Sequence, residues 1–317
     1  MEFASCVLCD AESTAHVVTT QSYVHPAPGR GGERFAVVRC RSCGLMFTNP
    51  RPTEDEIGPY YVGYSVHDPG DQAADVPLAP RPRAPGLLAR ALGLGNPGLP
   101  ELPAGARVLE IGCAAGAFLA SLRDRGWCLE GIEPSPTAAA YARDVRGLDV
   151  RCGTIETVDL PEAAFDLVFA WHVVEHFAHP VRTLTAIRRV LKPGGLLCLS
   201  LPNAGAIEAR IFGSYWGAWD PPLHYYHFTP ASISAVLEKA GFAVTDIQHQ
   251  RNVANIAQSL GAFLRDRRAG SALGRYLLRF GEGVPHEATI TAVTKPLAVL
   301  LAAMRQGGRI TVVGRRR

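Results

Sequence analysis

Residues 107–116 read Arg-Val-Leu-Glu-Ile-Gly-Cys-Ala-Ala-Gly, an apolar run that stops on a glycine, passes three small residues and meets a second glycine. A short apolar run bounded by such residues predicts a buried strand followed by a tight turn. Beyond it the apolar positions Phe118, Leu119 and Leu122 take helical spacing, until Gly126-Trp127 starts another strand. Strand, turn, helix and strand form the repeating unit of a parallel sheet. The unit recurs along the chain, with strands expected over 107–112, 127–133, 148–152, 165–170, 195–201, 243–250 and 309–314. The expected fold class is therefore α/β, a doubly wound, seven-stranded, mostly parallel sheet.

The same turn is a candidate ligand site. Gly112 permits the reversal, Gly116 lets the helix approach the sheet, and the opened helix end directs backbone N–H groups at a ligand carboxylate. A single Gly-x-x-x-Gly fits any doubly wound domain, NAD(P) dehydrogenases included, although their usual Gly-x-Gly-x-x-Gly spacing is absent. The next strand ends in Glu130-Gly-Ile-Glu133-Pro134-Ser135. An acid at that strand end, about twenty residues on, can accept both ribose hydroxyl hydrogens of a nucleoside; the alternative is that Glu133 caps the following helix.

A second constraint lies at the N-terminus. Cys6-Val-Leu-Cys9 and Cys40-Arg-Ser-Cys43 are two Cys-x-x-Cys pairs. Such spacing turns both thiolates of a pair onto one ion, and two pairs complete a tetrahedral sulfur cage. Between them lie β-like runs at 15–24 and 34–39, joined by turn formers at 26–32. Knuckle, hairpin, knuckle describes a small zinc ribbon; iron is the rival metal, and a redox Cys-x-x-Cys is disfavoured because neither pair opens a helix. With four thiolates bound, the metal's role is structural. The expected division is a ribbon over 1–52, short helices with a Pro-rich linker or lid over 53–104, and one α/β domain over 105–317 carrying a helical insertion at 253–305.

Over about 105–250 the chain resembles the class I S-adenosylmethionine-dependent methyltransferases. Glu110-Ile-Gly112-Cys113-Ala114-Ala-Gly116 is similar to their first motif, with Ala114 where many members have glycine, and Glu133 matches their ribose-binding acid. Thr154-Ile155-Glu156 stands where the family contacts adenine, Phe165–Phe169 is like its fourth strand, and Leu191-Lys-Pro-Gly-Gly195 is like the turn into its fifth. The resemblance implies S-adenosylmethionine as cofactor, held by Glu110, Gly112, Cys113, Ala114, Gly116, Phe118, Glu133, Pro134, Ile155, Glu156, Trp171 and His172. The stretch Arg39–Pro52 resembles the zinc-binding leader of bacterial methyltransferases from polysaccharide and natural-product pathways. It implies a small-molecule acceptor, a sugar or secondary metabolite methylated on oxygen.

Methyl transfer to a hydroxyl needs alignment, exclusion of water and removal of a proton. Trp171-His172-Val-Val-Glu175-His176 also spells an inverted metalloprotease motif, which its place after the fourth strand argues against. The segment 212–230 gathers aromatics, His224, His227 and Asp220 in one loop, a composition suited to an acceptor pocket. The expected base is His224, oriented by Asp220, with His176 a further candidate; the competing reading makes the loop histidines structural supports. Asp220-Pro-Pro lies in the wrong place for a nucleic-acid amino-methyltransferase motif.

The net charge of +3 implies no general affinity for polyanions, and only Lys192, Lys239 and Lys295 are lysines among 32 basic residues. A ribbon that grips transfer or ribosomal RNA would need more basic residues than Arg30, Arg34, Arg39 and Arg41, so nucleic acid is a weaker expectation. A non-catalytic scaffold would show a damaged cofactor motif. No run reaches the roughly 18 apolar residues of a membrane span, and no secretory leader is visible, so the expected location is cytoplasmic. The helical stretches in 253–305, with Ile256, Leu260, Phe263 and Leu264 on one face, are expected to cover the active site or form a dimer contact. Their arginines Arg265, Arg267, Arg268, Arg275 and Arg279 suit a phosphate-bearing acceptor or a membrane surface.

Overall fold

The computed structural model describes residues 1–62, 99–268, 271–281 and 285–317. Most of the segment expected to hold a Pro-rich linker or lid, residues 63–98, lies outside them. By compactness the described residues form two units that do not follow sequence order. One comprises the described residues within 1–62, 202–233 and 248–310; the other comprises 99–201, 234–247 and 311–317.

The second unit is built on the predicted strands. In chain order these are β4 (Arg107–Ile111), β5 (Cys128–Glu133), β6 (Asp149–Cys152), β7 (Phe165–Trp171), β8 (Leu191–Pro202), β10 (Phe242–His249) and β11 (Arg309–Arg316). They hydrogen-bond in the order β10-β11-β8-β7-β4-β5-β6. The pairs β4–β5, β5–β6, β4–β7 and β7–β8 are all parallel. The sheet order reverses at β4, and both of β4's neighbours run parallel to it, which is where doubly wound sheets bind ligands. Apolar side chains of β4 and β7 explain the sheet's position: Val108, Leu109, Leu167, Val168 and Phe169 are all fully buried. α2 (Pro136–Asp144) packs small residues, Ala138, Ala139 and Ala142, and starts on a Ser135 side-chain cap. α3 (Pro180–Val190) buries Leu184, Ile187 and Val190.

The Lys-Pro-Gly-Gly segment is not a separate turn before a strand. β8 already pairs at Leu191 with Phe165, then slips so that Leu196 faces Leu167. Within the slip Lys192 Nζ reaches both Asp166 carboxylate oxygens at 2.7 and 2.8 Å, and the Arg107 N–H donates to the same carboxylate at 2.9 Å. Burial opposes the Asp166 charge, but Lys192 and Arg107 hold its carboxyl below the ordinary range. This clasp ties β8 to the start of β4.

The first unit opens with β1 (Thr14–Thr20), β2 (Phe35–Cys40) and β3 (Met46–Thr48), an antiparallel meander. A fourth strand, β9 (Tyr226–His227), pairs with β3 through Met46↔His227 and Phe47↔Tyr226. The loop at 212–228 thus completes the N-terminal sheet. Its aromatics form the core of the unit: Trp216, Trp219, Tyr225, Tyr226 and Phe228 are buried, with Trp216 and Trp219 packed edge-to-face beside Val37 and Met46.

α6 (Ala254–Arg267) and α7 (Ala272–Leu278) belong to the same unit. The apolar residues Ile256, Leu260, Phe263 and Leu264 of α6 are half-buried or exposed. α6 instead buries Ala254, Asn255, Ser259 and Ala262, leaving Leu260 and Phe263 exposed. Small side chains let α6 and α7 approach closely, and Ala262 packs with Tyr23 and Leu278. α8 (Glu287–Ala303) buries Ala298 and exposes Val293, Leu297 and Leu300. Among the described residues no helix is long and apolar enough to cross a membrane.

Candidate functional site

The turn after β4 has the expected strand-to-helix geometry. Gly112 and Gly116 take φ values of 67° and 78°, the left-handed region that favours glycine. Space is also restricted: a Cβ at Gly112 would lie 2.8 Å from Val173 Cγ2, and one at Gly116 would lie 2.4 Å from Leu148 Cδ1. Ala114 adopts φ 48°, so the non-glycine member of the turn shares the left-handed conformation despite its Cβ. α1, Ala117–Ser121, then buries Leu119, while Phe118 meets Phe169 and Trp171 at ring distances of 5.1 and 5.3 Å.

Glu133, at the end of β5, fixes this turn. Its Oε2 accepts the Ala114 N–H at 2.9 Å and its Oε1 accepts the Ser135 N–H at 2.8 Å. The helix cap itself comes from Ser135, so Glu133 does not serve as the cap of α2. Glu110 is buried at the end of β4, and its Oε2 has no hydrogen-bond partner. Burial, aided by the negative charge of Glu133, pushes the Glu110 carboxyl up to about 8. Cys113 is buried beside them, and Ile155 is buried after β6. Glu156 accepts from Thr183 Oγ1 at 2.6 Å. Pro134 follows Glu133, and its carbonyl faces Cys152 Sγ at 3.9 Å.

After β7, Trp171 stacks on Phe169, and its buried Nε1 has no hydrogen-bond partner. His172 takes φ 54° and is held on three sides: its N–H donates to the Ser200 carbonyl at 2.7 Å, Nδ1 meets Glu175 at 3.3 Å and Nε2 meets Ser200 Oγ at 3.3 Å. A residue held left-handed by this many contacts is a strained position typical of ligand sites. His176 ends the short 3₁₀ turn Val174–His176 and is half-buried.

The four N-terminal cysteines converge. Cys6 and Cys43 sulfurs lie 3.4 Å apart, Cys9 and Cys40 sulfurs 3.5 Å apart, and all four lie within 4.8 Å of one another. None is disulfide-bonded. Sulfurs at about 2.3 Å from one ion in a tetrahedron stand about 3.8 Å apart, close to these spacings. Each pair is folded as a knuckle, with Asp10 N–H on the Cys6 carbonyl at 2.7 Å and Gly44 N–H on the Cys40 carbonyl at 3.0 Å. Burial opposes ionisation of Cys40, but N–H groups of Cys43 and Ser42 bring its thiol down to about 6.

The residues expected to form the acceptor-side base pair off differently. His224 Nδ1 lies 3.0 Å from the Ala218 carbonyl, which orients the ring, while Thr48 Oγ1 donates to the His224 carbonyl at 2.8 Å. Asp220, buried and at φ 39°, is instead the partner of His25 Nδ1 at 2.7 Å and of Ser22 Oγ, which approaches still closer. Burial works against the Asp220 charge, yet His25, His224 and Ser22 hold its carboxyl well below the usual range. His227 is a support, bound to Thr48 Oγ1 at 3.1 Å and packed against the Trp219 ring. His25 and Ser22 escape sequence reasoning because their partner is 195 and 198 positions away and no local motif marks them.

A family model described as "Methyltransferase domain" matches residues 83–247, just over half of the 317-residue chain. The chain belongs to the S-adenosylmethionine-dependent methyltransferase family. Among similar proteins, a probable S-adenosylmethionine-dependent methyltransferase of Mycolicibacterium smegmatis is 31% identical over 147 residues, covering 45% of this chain and 54% of that protein. A ubiquinone biosynthesis O-methyltransferase of Xanthomonas axonopodis is 31% identical over 157 residues, covering 46% and 66%. One from Bradyrhizobium is 40% identical over 104 residues, covering 31% and 41%. The matches thus span roughly two fifths to two thirds of these relatives' own length. A solved methyltransferase from Mesorhizobium loti aligns with a TM-score of 0.46 at 19% identity, over 72% of this chain and 96% of that one.

The methyltransferase turn fits the family's methyl donor on its own chemistry. S-Adenosylmethionine carries a sulfonium and an ammonium, and Glu110 and Glu133 give the turn buried carboxylates that a cationic ligand would stabilise. The orphaned Glu110 Oε2 has room in its hydrogen-bonding for a donor. Glu133, whose two oxygens accept the Ala114 and Ser135 N–H groups, sets a second carboxylate beside the turn.

Proposed function

We propose that this protein transfers a methyl group from S-adenosylmethionine to an oxygen of a small hydroxylated molecule, a sugar or secondary metabolite. The observation that carries the reading is the Glu133–Ala114 link, which joins the ribose-type acid to the glycine-bearing turn. Glu110, Gly112, Cys113, Ala114, Gly116 and Phe118 would hold the methionine part, Glu133 and Pro134 the ribose, and Ile155 and Glu156 the adenine edge. Trp171 and His172 would border the reacting end. The bound cofactor supplies an electrophilic methyl on a positively charged sulfur. The chain must then exclude water and remove the acceptor's proton. His224 is the proposed base, its Nδ1 directed at the Ala218 carbonyl so that Nε2 of the neutral ring accepts; His176 is the second candidate. Relatives named as ubiquinone biosynthesis O-methyltransferases support oxygen as the methylated atom.

We further propose that Cys6, Cys9, Cys40 and Cys43 bind a structural zinc ion, on ligand softness and the spacing of their sulfurs. Labelled cofactor incubated with a metabolite panel tests the methyl-transfer reading. His224→Ala should abolish transfer while cofactor binding persists, and His176→Ala should reduce it less. Full transfer by His224→Ala would assign the base elsewhere.

A further inference from the structure

Among the described residues, seven of the thirteen large apolar side chains that face solvent fall between residues 253 and 305. Leu260, Phe263 and Leu273 stand on α6 and α7; Val293, Leu297, Leu300 and Met304 belong to α8 and its end. The α8 set recurs at i, i+4, i+7 and i+11, so it forms one line along the helix. α8 buries only Ala298, and Glu287 and Lys295 are its only charged residues. A helix that meets water on most sides ordinarily carries far more polar surface.

The same segment is basic. Residues 253–305 hold seven basic residues against three acids, a net charge of +4 where the whole chain carries +3. Arg267, Arg268, Arg275, Arg279, Lys295 and Arg305 are exposed. Apolar and basic groups also adjoin. Arg267 lies over the exposed Phe263 ring at 5.5 Å. The Tyr276 hydroxyl donates to the Pro285 carbonyl, which brings the chain leading into α8 against α7, the helix that carries Arg275.

The charge selects the occupant. Apolar side chains with neighbouring cations match an anionic lipid surface, where the first enter the headgroup boundary and the second meet phosphates. A second copy would set one +4 segment against another, a like-charge contact that costs affinity. RNA would answer the charge but leave the apolar line uncovered. At about 25 Å, α8 has the length of a helix that lies in the interface, short of the roughly 20 residues that cross the hydrocarbon.

We propose that α6, α7 and α8 dock the protein on an anionic phospholipid bilayer, with Val293, Leu297 and Leu300 entering the headgroup boundary and Arg267 and Arg268 meeting lipid phosphates. The docking is independent of the methyl-transfer reading, since none of these residues is assigned to the methyl donor or to the acceptor's proton.

The experiment is co-sedimentation of the full chain with phosphatidylcholine vesicles, with and without one-third phosphatidylglycerol. The protein should sediment with the anionic vesicles and stay in solution with the neutral ones. Binding should weaken as salt rises from about 0.1 M to about 1 M, where the Debye length falls from about 10 Å to about 3 Å. Arg267→Ala with Arg268→Ala should weaken it about fivefold per arginine, the equivalent of about 1 kcal/mol each. Leu297→Gln with Leu300→Gln should weaken it about tenfold or more, because both apolar side chains are lost from the lipid. No binding to anionic vesicles, equal binding to neutral ones, or wild-type binding by either double variant overturns the proposal. A dimer that forms through α8 without any vesicle binding assigns the face to a second copy and overturns it too. If a variant fails to fold, amide hydrogen exchange on the wild type decides: residues 287–304 should gain protection with anionic vesicles, and unchanged exchange there contradicts the docking.

Discussion

Glu133 Oε2 accepts the backbone N–H of Ala114 at 2.9 Å, so the acid at the end of β5 braces the turn at the end of β4. One residue therefore does two jobs: it shapes the left-handed turn and presents a carboxylate beside it. The methyltransferase reading depends on that coupling, and it can be probed from several sides.

Gly116 should tolerate no side chain. A Cβ there would stand 2.4 Å from Leu148 on a backbone at φ 78°. Overpacking and left-handed strain together predict that Gly116→Ala destabilises by about 3 kcal/mol. Urea unfolding measures this; a midpoint equal to wild type would show that the turn relaxes freely.

Ala114 should respond in the opposite sense. At φ 48° it bears strain that glycine would relieve, partly offset by the larger entropy glycine loses on folding. Ala114→Gly is expected to stabilise by about 0.5 kcal/mol. Thermal unfolding should show a small rise in Tm, and a clear fall would contradict the assigned conformation.

Glu110 predicts an unusual pH dependence. Its carboxyl rises from the ordinary 4.5 to about 8 in the folded chain, first through burial and then through Glu133. Between those values the folded state holds a proton that the unfolded state has released. Its contribution to stability is therefore present at low pH, is lost as pH rises from about 4.5 to about 8, and is flat above. Glu110→Gln should flatten this slope in urea titrations at several pH values. Cofactor binding, which favours the charged carboxylate, should release protons below pH 8 in the wild type; calorimetry in buffers of different ionisation enthalpy measures it.

The cysteine cluster predicts one zinc per chain. Cys40→Ser should lose the metal and loosen the sheet that β3 shares with β9, exposing Trp216 and Trp219. Metal analysis with tryptophan fluorescence reports both; a metal-free wild type with a native emission spectrum would remove zinc from the account.

β4 and β7 were legible because each is a short apolar run between turn formers, and their burial follows from that pattern. Glu133 and the two glycines were legible for a related reason, since their spacing along the chain mirrors their meeting in space. The slip in β8 was hidden because Lys192-Pro-Gly-Gly has turn chemistry, while the Lys192–Asp166 clasp that holds it in the sheet is a distant contact. The sheet pairing of segment 212–228 was hidden for a different reason. Clustered aromatics and histidines look alike whether they line a pocket or fill a core, and the two-residue β9 carries too little pattern to reveal its pairing with β3. In α6 small residues rather than large ones mark the face that packs inside the unit, so apolar spacing alone does not reveal it. Asp220 was found by composition, but its contact with His25, which sits beside a proline in a hairpin loop, has nothing in the sequence to announce it.

The most direct test of the central claim is calorimetric titration of S-adenosylmethionine into wild-type protein and Glu133→Gln. The account predicts one binding site per chain in the wild type, weakened by about tenfold or more in the variant, since a charged acceptor for ribose hydroxyls is lost. No binding by the wild type, or equal affinity in the two proteins, would contradict it.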